Sequence, residues 1–218
     1  MTLQEEITQF MQPGVSEGWL DPARGIEMAE LVLATEPQTI VEIGVFGGRS
    51  LIAQALALKQ IGKGRIFGID PWKQSDALEG ETPANRDWWQ KNVDLHAIHR
   101  GAMESIWRLG LDDYVTIIRA ASQRLPKLFA GGIDILNLDS NHSEVASCRD
   151  VELYLPQLNT NGYIWMDDLD WQDDGGKLTM KKAEGMVLSQ CVQVRRNGHY
   201  GLYCKRLQDE TALGRSVS

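Results

Sequence analysis

The sequence predicts an α/β fold: a doubly wound, seven-stranded, mostly parallel sheet that ends in an antiparallel hairpin. Three observations carry this reading. Short β-branched apolar runs alternate five times with segments of helical period, the pattern of β-then-α units around a parallel sheet. The last two apolar runs are separated only by Arg196 to His199, too short for a crossover helix, so they pair as a hairpin. Gly44, Asp70, Ser122, Asp139 and Asp167 each follow a predicted strand, which is where a right-handed α/β fold gathers its functional loops.

The elements follow in order. Residues 1–20 have weak helical periodicity and form an N-terminal appendage or lid. Asp21-Pro22 is a helix start, a capping acid followed by proline in the first turn, and the helix runs towards Pro37. Thr39 to Ile43 is a buried strand that breaks at Gly44, and Ser50 to Gln60 is helical. Arg65 to Ile69 is the second strand. Pro71 to Asp87 is polar and irregular and reads as an insertion loop. Trp88 to about Leu109 reads as one helix. Val115 to Ile118 is the third strand, followed by a short helix from Ser122 to Phe129 interrupted near Pro126. Ile133 to Leu138, then Tyr163 to Met166, are the fourth and fifth strands, with a helix from Ser143 to Leu155 between them. Met180 to Leu188 is helical, and Val192 to Arg195 with Tyr200 to Cys204 make the hairpin. The domain spans 21–205, and 206–218 is a polar, mobile tail.

Composition narrows the function. The 218 residues suit one domain, and 43% hydrophobic residues can fill its core. The net charge is −8, and no Lys/Arg run supplies the basic patch that nucleic acid requires, so the expected partner is a small molecule. No apolar run approaches a membrane span. The start, MTLQEEITQF, lacks the basic and apolar regions of a secretory signal, and the expected location is cytoplasmic. Cys148, Cys191 and Cys204 have no CxxC spacing and read as reduced thiols. Association into a homo-oligomer stays open.

The first strand runs into Glu42-Ile43-Gly44-Val45-Phe46-Gly47-Gly48-Arg49-Ser50. Glycines at such a turn let a ligand approach the backbone, and the next helix start favours an anion. The spacing is neither Gly-x-Gly-x-x-Gly nor a Gly-Lys-Ser/Thr phosphate loop. Asp70 lies about 20 residues beyond the first glycines, where an acid accepts hydrogen bonds from a ribose; a turn or cap role before Pro71 is the alternative. Strand four runs into Asp139-Ser140-Asn141-His142 and strand five into Asp167-Asp168. Neighbouring parallel strands bring these three carboxylates together. Like charges raise each other's pKa, and a hard divalent cation such as Mg²⁺ relieves the conflict. Helix capping and solvation are the competing readings of these acids. His142, three residues after Asp139, is a candidate general base, with a loop-capping role as the alternative.

The segment Val41 to Ser50 resembles motif I of the catechol and caffeoyl-CoA O-methyltransferases and is similar to that of the macrocin-type sugar O-methyltransferases. The resemblance covers roughly Asp21 to Cys204 and implies a Rossmann-like class I fold that binds S-adenosyl-L-methionine. It implies that Glu42, Gly44 and Ser50 surround the methionine moiety, that Gly47 also binds the cofactor, that Asp70 takes the ribose, and that Ala121, Ser122 and Gln123 lie beside the adenine. It implies metal ligation by Asp139, Asp167 and Asp168, and catalysis by His142 and Asp139. The Asp-Asp pair agrees with the sugar-methylating branch. Asp-Ser-Asn-His departs from the family's frequent Asp-Gly-Asp-His. The expected reaction is metal-assisted O-methylation of a small-molecule hydroxyl, on a sugar or a phenol. A non-catalytic S-adenosylmethionine-binding module and a different enzyme on the same fold are the rivals. His96, His99 and His199 read as surface or packing residues, whereas Trp72 and Trp171 are expected near the acceptor.

Overall fold

The computed structural model describes residues 1–79, 82–125, 128–129 and 131–206. Eight helices and seven strands are present among them: α1 (Leu3–Phe10), α2 (Pro22–Thr35), β1 (Thr39–Ile43), α3 (Arg49–Ile61), β2 (Arg65–Ile69), α4 (Gln74–Ala77), α5 (Pro83–Asn92), α6 (Leu95–Arg108), β3 (Val115–Ile118), β4 (Ile133–Leu138), α7 (Glu144–Tyr154), β5 (Leu158–Met166), α8 (Lys181–Leu188), β6 (Cys191–Arg196) and β7 (Gly201–Lys205). The sheet order is β3-β2-β1-β4-β5-β7-β6. β1 to β5 are parallel, and β7 pairs antiparallel with β5 and with β6. This is the doubly wound sheet with a terminal hairpin that the alternation implies.

β1 and β4 lie at the centre, so both faces of their side chains are buried. Ile40, Val41, Ile135 and Leu136 are each fully inaccessible. One core layer packs α1, α2 and α3 onto the sheet, and the other packs α7 and α8 onto its opposite face. The N-terminal segment belongs to the first layer: a capping box at Thr2 starts α1, and Ile7, Phe10 and Met11 are buried.

The insertion corrects the sequence reading. Residues 71–87 are not a plain loop, because α4 and the start of α5 fall within them. Thr82 caps α5 and Pro83 fills its first turn, a start pattern masked by the surrounding polarity. The single helix expected from Trp88 to Leu109 is two. It breaks at Val93, and Asp94 starts α6 by accepting from His96 N and Ala97 N. The expected Ser122–Phe129 helix is a three-residue 3-10 turn at Ser122–Arg124; Pro126 lies outside the described residues. The expectation for the tail after Arg206 also lies outside them. No helix among the described residues is long and apolar enough to cross a membrane.

The parallel ladder continues past the strands. Gly44 N–H donates to Ile69 O, Asp139 N–H to Ile43 O and Asp167 N–H to Leu138 O. These bonds hold the carboxyl ends of four adjacent strands at one edge of the sheet.

Candidate active site

A cavity of about 730 Å³ opens at that edge. Its lining includes Gly44, Gly47, Ser50, Asp70, Ala121, Ser122, Asp139, His142, Asp167 and Asp168. Every predicted site residue except Glu42 therefore faces one cavity. Glu42 lies beneath it, fully buried.

The β1–β2 half is built from acids satisfied by the chain itself. Phe46 sits in the left-handed region (φ 50°), and the Val45 and Phe46 amides face Asp70. Both donate to Asp70 Oδ2, at 2.9 and 3.0 Å, and Trp72 N–H donates to Asp70 Oδ1 at 2.6 Å. Asp70 thus fastens the glycine turn, a role beside the ribose contact implied by the resemblance. Burial raises its pKa against these three hydrogen bonds, which lower it.

Glu42 stands beside Asn137 across the β1–β4 pair. It accepts from Ser50 Oγ (2.9 Å), Gln54 Nε2 (3.3 Å) and Asn137 Nδ2 (3.2 Å). Burial dominates nonetheless and pushes its carboxyl up to about 8.

The turn glycines make room for protein backbone. Gly44 has φ 87°, and a Cβ there would lie 2.0 Å from the Asp139 carbonyl oxygen. A Cβ on Gly47 would lie 2.1 Å from Glu17 O, where the N-terminal segment crosses the turn. Arg49 latches that segment, donating to Ser16 Oγ, Ser16 O and Leu20 O. Trp19 then stacks on Phe46 with ring centroids 4.9 Å apart. Segment 17–20 is part of the cavity wall.

Ser122 donates to Asp150 Oδ1 (2.5 Å), and Ser140 donates to Asp150 Oδ2 (2.6 Å). Asp150, on α7, is buried and ties the β3 and β4 loops together. Sequence reading missed it because nothing marks it within an ordinary helix. Asn141 donates to Ala77 O and Glu79 O and so joins the insertion to the loop after β4, a contact that sequence spacing does not show.

The β4–β5 half is different. Asp139, His142 and Asp168 offer ligand atoms within 4.8 Å of one another. His142 Nε2 lies 3.1 Å from Asp168 Oδ2, and Trp171 packs on the imidazole at 5.0 Å between centroids. Asp168 holds φ 53°. Asp167 points elsewhere: its Oδ2 lies 3.4 Å from Arg24 Nη2. Burial, together with Asp167, Asp168 and Glu42, drives the Asp139 carboxyl well above the ordinary carboxylate range.

Two sequence expectations need correction here. His199 is not a bystander: its Nδ1 lies 2.8 Å from Asp170 Oδ1 and its Nε2 3.7 Å from Asp168 Oδ1, and it lines the cavity. The hairpin turn brings it there across a sequence gap that spacing rules do not bridge. Trp72 is buried against His99 (4.5 Å between centroids) and is not on the cavity wall, because its indole N–H closes the glycine turn at Phe46 O. Trp171 does line the cavity.

The donors fit a divalent cation. Asp139 and Asp168 are hard oxygen donors that suit Mg²⁺ or Mn²⁺. Asp167 does not join the group while Arg24 holds it.

Known proteins share this architecture. The SAH-bound methyltransferase PaMTH1 of Podospora anserina superposes with a TM-score of 0.65, at 16% identity, over 96% of this chain and 89% of that chain. The O-methyltransferase TomG of Streptomyces achromogenes, in complex with SAM, gives 0.64 at 15% identity, over 95% of this chain and 91% of that one. A Bacillus cereus O-methyltransferase in complex with SAH gives 0.61 at 15%, over 93% and 89%. In sequence, the uncharacterized protein R132 of Acanthamoeba polyphaga mimivirus is 32% identical over 130 residues, 60% of this chain. The chain spans about half the length of that relative, 51% of it. A family described as Methyltransferase domain matches residues 41–169, more than half of the chain and all of the cavity's strand ends from β1 to β5. The chain belongs to the methyltransferase-domain family.

Proposed function

We propose that this protein transfers a methyl group from S-adenosylmethionine to the hydroxyl of a small molecule, with a divalent cation at Asp139 and Asp168. The observation that carries the reading is one cavity with two unlike halves. A glycine turn fastened to Asp70 stands at one end, and Asp139, His142 and Asp168 converge at the other. The structural neighbours that bind SAM or SAH, two of them named O-methyltransferases, support it.

A sulfonium donor supplies an electrophilic methyl group. The acceptor oxygen forms the new C–O bond as the C–S bond breaks, and the hydroxyl proton must leave. His142 would take it: with Nε2 donating to the Asp168 carboxylate, Nδ1 would be the accepting nitrogen. Asp168 fixes the ring's orientation and stabilises the imidazolium that forms. A bound divalent cation would lower the pKa of the acceptor hydroxyl. Trp171 beside His142, and Trp19, Trp88 and Trp89 elsewhere on the wall, give a flat ring apolar surface to lie against, which suits a sugar or a phenol.

The test is SAH release with a panel of catechols and deoxysugars. Release that needs an acceptor, stops in chelator and returns with Mg²⁺ or Mn²⁺ is expected. Undiminished turnover in chelator would remove the cation from the reading. Failure of any acceptor to raise SAH release above background, in protein that binds SAH, would leave a non-catalytic binding module.

A further inference from the structure

Arg24 occupies an unusual place. It lies in the first turn of α2, where the helix dipole disfavours a cation, yet it is only 5% exposed. Its guanidinium carbon sits 3.9 Å from the ring centroid of Trp165 and 3.5 Å from that of Tyr200. Nη1 lies 3.4 Å from Glu27 Oε2 and Nη2 3.4 Å from Asp167 Oδ2, while Nε is buried without a partner among the described residues. A buried guanidinium is retained only where carboxylates compensate it. Tyr200 and Arg195 anchor Glu27 in turn, so the arginine is held from two elements besides its own.

The consequence falls on the cation site. Asp167 is one of three carboxylates at the β4 and β5 ends, and Arg24 has already claimed it. Resting on the cation reading above, we propose that Arg24 competes with the divalent ion for Asp167. The ion is then held through Asp139 and Asp168 beside His142, and its affinity is set by an arginine that never touches it. Two effects act together: Arg24 withholds a ligand, and its own positive charge opposes a second cation nearby. To recruit Asp167 the ion must displace a guanidinium clamped between two rings.

The experiment is Mn²⁺ binding to the full chain, read by electron paramagnetic resonance of the free ion, with no acceptor present. Four proteins are compared: wild type, Arg24→Gln, Asp167→Asn and the double variant. Thermal melting and SAH binding confirm that each is folded. Arg24→Gln should bind Mn²⁺ about tenfold tighter or more, since it removes a nearby charge and frees a carboxylate. Asp167→Asn should change wild-type affinity by less than about threefold, but should reverse most of the gain in the Arg24→Gln background. A folded Arg24→Gln protein that binds Mn²⁺ no tighter than wild type overturns the inference while leaving the cation reading in place. Should Arg24→Gln fail to fold, Asp167→Asn alone decides: a small change supports the competition, and a loss of tenfold or more makes Asp167 a resident ligand and overturns it. Absence of Mn²⁺ binding in all four proteins overturns the cation reading together with this one.

Discussion

The two halves of the cavity solve the same electrostatic problem in opposite ways. At the β1–β2 end, half-buried Asp70 and buried Glu42 each have a set of donors: three backbone amides for one, three side chains for the other. Neither needs a cation, and Glu42 is poised to hold a proton instead. At the β4–β5 end, Asp139 makes no side-chain hydrogen bond among the described residues, and Asp168 leans on a histidine. Asp167 relies on an arginine from another layer. Acids satisfied by their own chain shape a binding surface. Acids left to each other demand an outside cation or a titrating partner, and that is where chemistry is expected.

The largest expected effect breaks the second half. His142→Gln keeps much of the hydrogen bonding but cannot take a proton. kcat should fall by about 10²–10⁴, with the melting temperature and SAH affinity little changed. If His142 only caps the loop, the rate would stay near wild type and stability would drop by about 1 kcal/mol.

Glu42 sharpens the first half. Its carboxyl goes from an ordinary 4.5 to about 8 on folding, so the folded state retains a proton that the unfolded chain releases. That stabilisation is complete below the ordinary value and is lost as pH rises through the folded one. Chemical denaturation from pH 5 to 8 should therefore show stability falling, and Glu42→Gln should remove up to about 4 kcal/mol of that fall. Parallel profiles for the two proteins would mean that Glu42 is ionised in the fold.

Asp70→Ala strands three backbone amides, and unfolding should show a loss of about 3 kcal/mol, beyond any loss of SAH affinity. A change in SAH binding with unaltered stability would deny Asp70 its structural role. The smallest effect is expected from Gly47→Ala. The new Cβ must push the Glu17 carbonyl aside, at a cost of about 1–2 kcal/mol, and Trp19 should shift on Phe46. Unchanged tryptophan fluorescence would place the strain elsewhere.

Much of this was legible in sequence because it follows from period and topology. The apolar runs at 39–43 and 133–138 read as strands of a parallel sheet, and the winding rule then put Asp139 and Asp167 on one edge. Contacts made across layers left no such pattern. Arg24 looks like any charged residue in a helix, although a cation in the first turn was a hint. His199 reaches Asp168 only through the hairpin's fold onto β5. The glycine turn was read as an opening for a ligand, while Gly44 and Gly47 make way for Asp139 and Glu17, which only packing reveals. Helix α5 was hidden although Thr82-Pro83 carried its start signal, because polar composition was given more weight than the cap.

If the Gly44–Asp70 end of the cavity binds the methyl donor, calorimetric titration of the folded protein with SAH should show it. Micromolar binding, roughly −8 kcal/mol, is expected. A folded protein that gives no heat of binding across temperatures, and no thermal shift with excess SAH, would contradict it.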